Sequence, residues 1–156
     1  MSLSRTPSQT VGPFYSIGLC RRPDNELVTA GTELHGTLYD GAGDPIGDGV
    51  IELWDPVARR WGRSGTDAEG RFSFVVTKPD ARQGQAPHLY AFVFARGLLR
   101  HQLTRIYFPD ESNEEDPVFA ALPAESRSSL VALEEDGALR FDIHMQGERA
   151  TVFFAH

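Results

Sequence analysis

The stretch Ala86-Pro-His-Leu-Tyr-Ala-Phe-Val-Phe-Ala-Arg-Gly97 contains the apolar run that decides the fold. Residues 89–94 show no alternation between apolar and polar side chains. We therefore expect a strand that is buried on both faces, either inside a sandwich and against a partner or between two subunits. This strand is a candidate for a subunit interface.

Short apolar or alternating runs recur on both sides of this stretch and are separated by Gly, Pro and Asp. The predicted strands are residues 34–39, 50–54, 72–76, 89–94, 103–108, 139–145 and 150–154. The segments Asp40-Gly-Ala-Gly-Asp-Pro45 and Asp67-Ala-Glu-Gly70 supply turn residues that join antiparallel strands. The pattern predicts an all-β fold, an antiparallel β-sandwich with short helical turns in its surface loops.

Composition favours one compact domain over residues 1–156, because 40% of the residues are hydrophobic and a single core of this size is usual. Residues 1–10 are polar and no apolar run approaches membrane-spanning length, so a cytoplasmic protein is expected. The net charge of −7 argues against nucleic acid as a partner. Cys20 is the single cysteine and is predicted to be a packing residue.

Residues 109–129 are rich in Asp, Glu, Ser and Pro and are predicted to form a surface excursion. Helical turns are expected within residues 116–122 and again within residues 125–131. The carboxylates between Asp110 and Asp116 are interpreted as a solvated face. A calcium loop would need a Gly at its bend, and this segment has none.

Five motifs spread over nearly the whole chain carry a resemblance to a known family. They are Thr6-Pro-Ser-Gln-Thr-Val-Gly-Pro-Phe-Tyr15, Glu52-Leu-Trp54, Asp67-Ala-Glu-Gly-Arg-Phe72, Leu103-Thr-Arg-Ile-Tyr-Phe108 and Arg140-Phe-Asp-Ile-His-Met-Gln-Gly-Glu148. Together they resemble the intradiol ring-cleaving dioxygenases. The resemblance implies a role in aromatic catabolism, in which dioxygen cleaves protocatechuate (3,4-dihydroxybenzoate) to 3-carboxy-cis,cis-muconate.

The iron-carrying subunits of this family bind ferric iron with two Tyr and two His, the His pair standing in a Pro-x-His-x-His strand. Aligned on Pro87, those two positions hold Leu89 and Ala91, and the first Tyr falls at or beside Trp61. The segment 78–86, where the second Tyr belongs, contains no Tyr. An indole nitrogen is a donor only and cannot ligate a metal. The chain thus resembles the iron-free alpha subunit, which pairs with an iron-bearing beta subunit in a higher-order alpha-beta oligomer.

If that resemblance holds, this chain supplies no catalytic residue and no metal ligand, and it is inactive alone. Iron and oxygen chemistry would belong to the homologous beta subunit, while this chain contributes pocket walls and an anion contact. Residues 1–31 are expected to be an N-terminal arm and partner-contact segment. Within it, Thr10, Gly12, Pro13 and Phe14 match residues by which the alpha chain lines its partner's cleft. The alternative is an arm held in a turn for assembly alone.

Arg105 stands in a strongly apolar strand pattern, where a guanidinium needs an anion. The anion is either the ring carboxylate of the substrate, held bidentately, or a structural Asp or Glu of the partner chain, although an internal ion pair satisfies a buried Arg as readily. The resemblance favours the substrate. Arg96 and Arg140 are predicted to be structural, with Glu52 and Asp142 as their counter-ions.

Two further readings remain open from the residues themselves. His88, Tyr90, His101 and Tyr107 are candidates for the metal site of an independent metalloenzyme. Among them, His88 and Tyr90 are two apart, hence on one face of a strand, which is the spacing that a two-ligand strand needs. Alternatively, His88 bonds to backbone at the start of the strand and Tyr90 packs. His101 is predicted to face solvent. The chain could also be a non-catalytic sandwich that binds aromatic acids or serves in assembly, because sandwiches host many functions.

Overall fold

Two β-sheets pack face to face in the computed structural model, which describes residues 5–7, 9, 12, 15–21 and 23–155. The strands are β1 (Thr32–Tyr39), β2 (Val50–Asp55), β3 (Arg60–Gly65), β4 (Arg71–Val76), β5 (His88–Phe94), β6 (Gln102–Tyr107), β7 (Leu133–Glu135), β8 (Ala138–Arg140) and β9 (Ile143–His144). The helices are α1 (Tyr15–Leu19), α2 (Pro117–Ala120) and α3 (Ala124–Arg127), with 3-10 turns at Asn113–Glu115 and Ser128–Leu130.

One sheet has the order β4-β1-β8-β7 with β9 also paired to β1, and the other has the order β3-β2-β5-β6. Pairing is antiparallel except where β1 meets β8 and β9, which run parallel to it. The β-sandwich predicted from sequence is confirmed. None of the helices in the described part of the chain is long and apolar enough to cross a membrane.

The core lies between the sheets and is built mainly from alternate residues of the longer strands. It includes Leu34, Leu38, Phe72, Phe74 and Ile143 from the first sheet and Ile51, Leu53, Leu89, Ala91, Val93 and Ile106 from the second. Within this chain, the burial of residues 89–94 is one-sided, and the burial of their outer face against a partner stays a prediction. Only the alternate residues Leu89, Ala91 and Val93 are buried, and Tyr90, Phe92 and Phe94 lie half-exposed on the outer surface.

Strand β3 was not predicted, because its sequence Arg-Trp-Gly-Arg-Ser-Gly has no apolar alternation. It forms by pairing along the whole of β2. The turn between them is held by Asp55, whose Oδ1 accepts from the backbone N–H of Val57 at 2.8 Å and of Ala58 at 2.9 Å. An edge strand of this kind follows from its neighbour and not from its own composition.

The strand predicted at residues 139–145 is split into β8 and β9, and both halves pair with β1. Between them the chain passes so close to Gly36 that a Cβ there would lie 1.9 Å from the carbonyl oxygen of Phe141. The strand predicted at residues 150–154 is absent. That segment is irregular apart from one bridge between Leu103 and Phe154.

The excursion after β6 forms the expected short helices, yet part of its acidic stretch is buried. Asp116 is inaccessible to solvent and Asn113 is buried, so the predicted solvated face is wrong at Asp116. Phe119 of α2 and Leu130 cover Tyr107 in a second, smaller hydrophobic cluster. The excursion thereby closes the outer face of one end of β6.

The described part of the N-terminal segment packs against both sheets. Leu27 is buried in the core, and its backbone N–H donates to the carbonyl of Val75 at 3.0 Å. Cys20 lies half-buried near Gly65, and burial raises the pKa of its thiol. The environment of Cys20 agrees with a packing residue, since a reactive thiol needs a lowered pKa.

Candidate functional site

The outer face of the β3-β2-β5-β6 sheet carries a row of large side chains in register. Trp61 is opposite Trp54, Trp54 is opposite Tyr90, and Tyr90 is opposite Arg105. Directly opposed residues of neighbouring strands point to the same side of a sheet, so the row shares one surface. Trp61 is 43% exposed. We call Trp54, Trp61, Tyr90, Phe92 and Phe94 together the aromatic face.

Arg105 ends this row and is only 8% exposed. Its Nη1 donates to the Tyr107 hydroxyl at 3.0 Å, and its Nη2 donates to the Tyr90 hydroxyl at 3.2 Å. The guanidinium carbon lies 5.1 Å from the ring centroid of Tyr90 and 5.7 Å from that of Phe154. Asp116 Oδ2 lies 3.8 Å from Nη1. Arg105 therefore has a carboxylate of its own chain, that of Asp116, as a neighbouring anion.

Asp116 connects three parts of the structure from a fully buried position. Its Oδ1 accepts from the backbone N–H groups of Val118 at 2.7 Å and Phe119 at 3.2 Å, which caps α2. Its Oδ2 accepts from the N–H of Ala86 at 3.1 Å and from the Tyr107 hydroxyl at 3.3 Å. Sequence reasoning missed this role. The pair Asp116-Pro117 carried a signal for it, because Asp before a Pro is a common helix start.

Tyr107 lies between the cation and the carboxylate. Its side chain is fully buried, and burial raises the pKa of Tyr107 to about 12 in spite of the neighbouring Arg105, which lowers it. The phenol is therefore neutral at ordinary pH and keeps its proton for a hydrogen bond. From the sequence, Tyr107 was considered only as one of four candidates for an alternative metal site.

His88 occupies the start of β5 beside Tyr107 and is 5% exposed. Its Nδ1 donates to the carbonyl of Ala86 at 2.8 Å, which is the backbone bond considered from sequence. Burial, followed by the nearby Arg105, lowers the pKa of His88, so the imidazole is neutral. Its Nε2 has no hydrogen-bond partner among the residues that the structure describes.

A small pocket of about 220 Å³ opens beside this strand start. It is lined by Pro56, Val57, Asp80, Arg82, Gln83, Gln85, Ala86, His88 and Tyr90. The rings of His88 and Tyr90 meet edge to face, with centroids 5.0 Å apart. The packed Tyr90 considered from sequence is thus present, although its hydroxyl also bonds to Arg105.

Comparison with known proteins assigns the chain to a family, although no family model matches it. It is 36% identical to the protocatechuate 3,4-dioxygenase alpha chain of Burkholderia cepacia, over an alignment that covers 98% of both chains. The alpha chain of Pseudomonas putida is 34% identical, with 97% of this chain and 96% of that one covered. The chain belongs to the protocatechuate 3,4-dioxygenase alpha-chain family.

Relatives outside the alpha chains agree with this family. The protocatechuate 3,4-dioxygenase beta chain of Burkholderia cepacia is 30% identical over 74% of this chain and 64% of its own length. Among solved structures, the dioxygenase domain from Streptomyces sp. SirexAA-E has a TM-score of 0.58 at 20% identity, covering 91% of this chain and 99% of that domain. Catechol 1,2-dioxygenase from Pseudomonas arvilla C-1 has a TM-score of 0.55 at 20% identity, covering 78% and 55% of the two chains. These structures share the sandwich fold.

Intradiol dioxygenases are iron enzymes, and the residues of this alpha-chain family member do not fit a ferric ion. Leu89 and Ala91, which the sequence resemblance places at the His-ligand positions, are fully buried in the core, whereas Trp61 lies on the outer face of the same sheet. On that outer face, the Tyr90 hydroxyl accepts from the Arg105 cation, which opposes a second cation. No cluster of three or more His, Cys, Asp or Glu side chains suited to a metal occurs among the described residues.

The N-terminal residues implied by the alpha-chain resemblance are described only in part. Gly12 is half-buried with a φ of +69°, a left-handed conformation that favours Gly. Thr10, Pro13 and Phe14 lie outside the described residues. Their contacts with a partner's cleft stay predictions.

The remaining charged residues selected from sequence have mixed outcomes. Arg140 donates to Asp142 at 2.7 Å, as predicted. The predicted pairing of Arg96 with Glu52 is wrong, because Arg96 approaches Asp48 at 3.6 Å and Glu52 bonds to Arg63 of β3.

His101 is half-buried and packs against two rings of the aromatic face, Phe92 and Phe94, with centroids 5.5 and 5.3 Å away. The predicted solvent-facing role of His101 is wrong, because the half-exposed phenylalanines of β5 offer it an apolar surface.

Proposed function

We propose that this chain is the alpha subunit of a protocatechuate 3,4-dioxygenase. It completes the active-site cleft of an iron-bearing beta subunit, which cleaves 3,4-dihydroxybenzoate with dioxygen to 3-carboxy-cis,cis-muconate. The observation that carries this proposal is the similarity to an alpha chain, which extends over 98% of the chain. It is supported by strand β5, where the resemblance places the buried Leu89 and Ala91 at the positions of the metal ligands. In this proposal the ferric ion would be held by residues of the beta subunit, and it would supply the iron chemistry there. This chain helps to bind and orient the substrate.

The alpha and beta chain relatives indicate a hetero-oligomer, and the aromatic face is the surface that we assign to the beta subunit. Trp and Tyr are enriched at the centres of protein interfaces, where their area is buried at little entropic cost. Trp61 is the most exposed aromatic side chain of that face, at 43%. The N-terminal arm, residues 1–31, adds a second contact. Thr10, Gly12, Pro13 and Phe14 line the partner's cleft in this proposal.

Arg105 is the proposed contact for the substrate's ring carboxylate. A guanidinium has five N–H donors, and the Tyr90 and Tyr107 hydroxyls account for two of them. The chain's net charge of −7 repels an anionic substrate at long range. A local cation at the edge of the aromatic face therefore gives the carboxylate a specific contact, and its position sets the orientation of the ring.

The experiment is to co-express this chain with its beta subunit and to measure ring cleavage by oxygen uptake. Arg105→Ala should raise KM for protocatechuate more than for catechol, which lacks the carboxylate. Arg96→Ala is the matched control, because Arg96 is exposed and far from Arg105 in the fold. Equal effects of Arg105→Ala on both substrates would contradict the carboxylate contact. A wild-type complex without ring cleavage would overturn the proposed function itself.

A further inference from the structure

We infer that Tyr107 and Asp116 are positioning residues for Arg105, and that they hold its guanidinium ready for the anionic group of the substrate. This inference rests on the proposed function. It extends that function from a contact residue to the hydrogen-bonded chain behind it, which no sequence motif indicated.

The geometry identifies the Tyr107 hydroxyl as the connecting group. It accepts from Arg105 Nη1 at 3.0 Å and donates to Asp116 Oδ2 at 3.3 Å. The direct separation of Nη1 and Oδ2 is 3.8 Å, which is too long for a hydrogen bond. The cation and the carboxylate are therefore linked through the phenol and are kept apart by it.

Asp116 is a fixed anchor because the backbone holds both of its oxygens. Three N–H groups, from Ala86, Val118 and Phe119, donate to the carboxylate at 2.7 to 3.2 Å. These donors belong to the segment before β5 and to the start of α2. The carboxylate cannot turn toward Arg105 without breaking the cap of α2.

This arrangement has a consequence for the long and flexible side chain of Arg105. The hydroxyls of Tyr107 and Tyr90 hold two of its nitrogens, and the rings of Tyr90 and Phe154 lie on the guanidinium. An arginine held in this way loses little further freedom when a carboxylate binds. Without the Tyr107 hydroxyl, the guanidinium can close the gap to Asp116 and form a direct ion pair, which withdraws it from the substrate.

The test is Tyr107→Phe in the co-expressed alpha-beta complex. KM for protocatechuate should rise about tenfold, as expected when one hydrogen bond to a charged group is lost. The kcat for either substrate and the KM for catechol should change by no more than about twofold, because the reacting centre is untouched. Tyr39→Phe is the matched control. Tyr39 lies on the other sheet, stacked on His144, and should leave all constants unchanged.

A double-mutant cycle separates positioning from a structural role. If Tyr107 acts through Arg105, adding Tyr107→Phe to Arg105→Ala should raise KM no further. An additive effect, or an equal rise of KM for both substrates, would overturn the inference. Should Tyr107→Phe fail to assemble, Asp116→Asn tests the same chain from its other end and must show the same selective rise in KM. An active wild type with no selective effect in these variants refutes the inference and leaves the proposed function standing.

Discussion

Replacing Asp116 by Ala should be among the most destabilising single substitutions in this protein. The carboxylate is fully buried and is the charged partner of Arg105, which is itself 8% exposed. Removing one member of a buried ion pair costs about 3–5 kcal/mol, and the separation of 3.8 Å argues for the lower end. Loss of the α2 cap adds about 1 kcal/mol. We expect Asp116→Ala to lower the free energy of unfolding by about 4 kcal/mol.

The two contributions can be separated with Asp116→Asn. An Asn retains an oxygen for the N–H groups of Val118 and Phe119 but loses the charge, so it should be about 1 kcal/mol less destabilising than Ala. Urea unfolding of the purified chain, followed by the fluorescence of Trp54 and Trp61, measures all variants. If Asp116 stabilised the protein only by capping α2 and not through its charge, the Asn variant would be as stable as the wild type.

A matched control comes from an exposed Asp of the same excursion. Asp110 pairs with Lys78 at 2.6 Å, and its side chain is 58% exposed. Asp110→Asn should therefore change the free energy of unfolding by less than about 1 kcal/mol. If Asp116→Ala were no more destabilising than this control, the reasoning from burial and pairing would be refuted.

Three further predictions test the core, the pH dependence and the interface. Ala91→His, at a position where the sequence resemblance implies an iron ligand in the iron-carrying subunits, should lower the free energy of unfolding by more than about 2 kcal/mol. The purified variant should hold no iron, and stoichiometric iron by metal analysis would contradict the core position of Ala91. Burial lowers the pKa of His88, and that of His144, below 6.5. The unfolded chain therefore takes up protons first, and the stability present above pH 6.5 should decline as the pH falls toward the lowered pKa values. Urea midpoints at several pH values should show a shallower decline for His88→Gln, and an unchanged slope would argue against His88. Trp61→Ala should weaken association with the beta subunit about tenfold or more in sedimentation experiments, with an unchanged urea midpoint for the chain alone. Undiminished association would exclude Trp61 from the interface.

Strand positions were predictable where the chain carries a short run that is apolar or that alternates with a period of two, because such a run places at least one face in the core. The pattern worked for β1, β2, β4, β5 and β6. It failed for β3, whose residues are polar and which forms by hydrogen bonding to β2. The pattern also predicted a strand at residues 150–154, where none forms. The apolar side chains of this segment cover the edge of β6, and only Phe154 forms a bridge.

Some features needed distances across the fold. From composition, the carboxylate of Asp116 was predicted to face solvent like its acidic neighbours, because composition does not distinguish one of these carboxylates from another. In the structure, the turn into α2 brings this one carboxylate beneath Tyr107. The inner and outer faces of β5 could not be predicted from the sequence either, because an unbroken apolar run does not reveal which residues meet the other sheet.

Arg105 shows where the division lies. The sequence by itself determined that this is a β-sandwich of the intradiol dioxygenase type and that a guanidinium in an apolar strand requires an anion. These conclusions follow from local periodicity and from the cost of burying charge. Only the tertiary structure decided that Asp116 supplies that anion and that the Tyr107 hydroxyl lies between them. The physical reason is that desolvation acts on a residue wherever it is buried, whereas a hydrogen-bond partner is set by which strands and turns the packed sheets bring together.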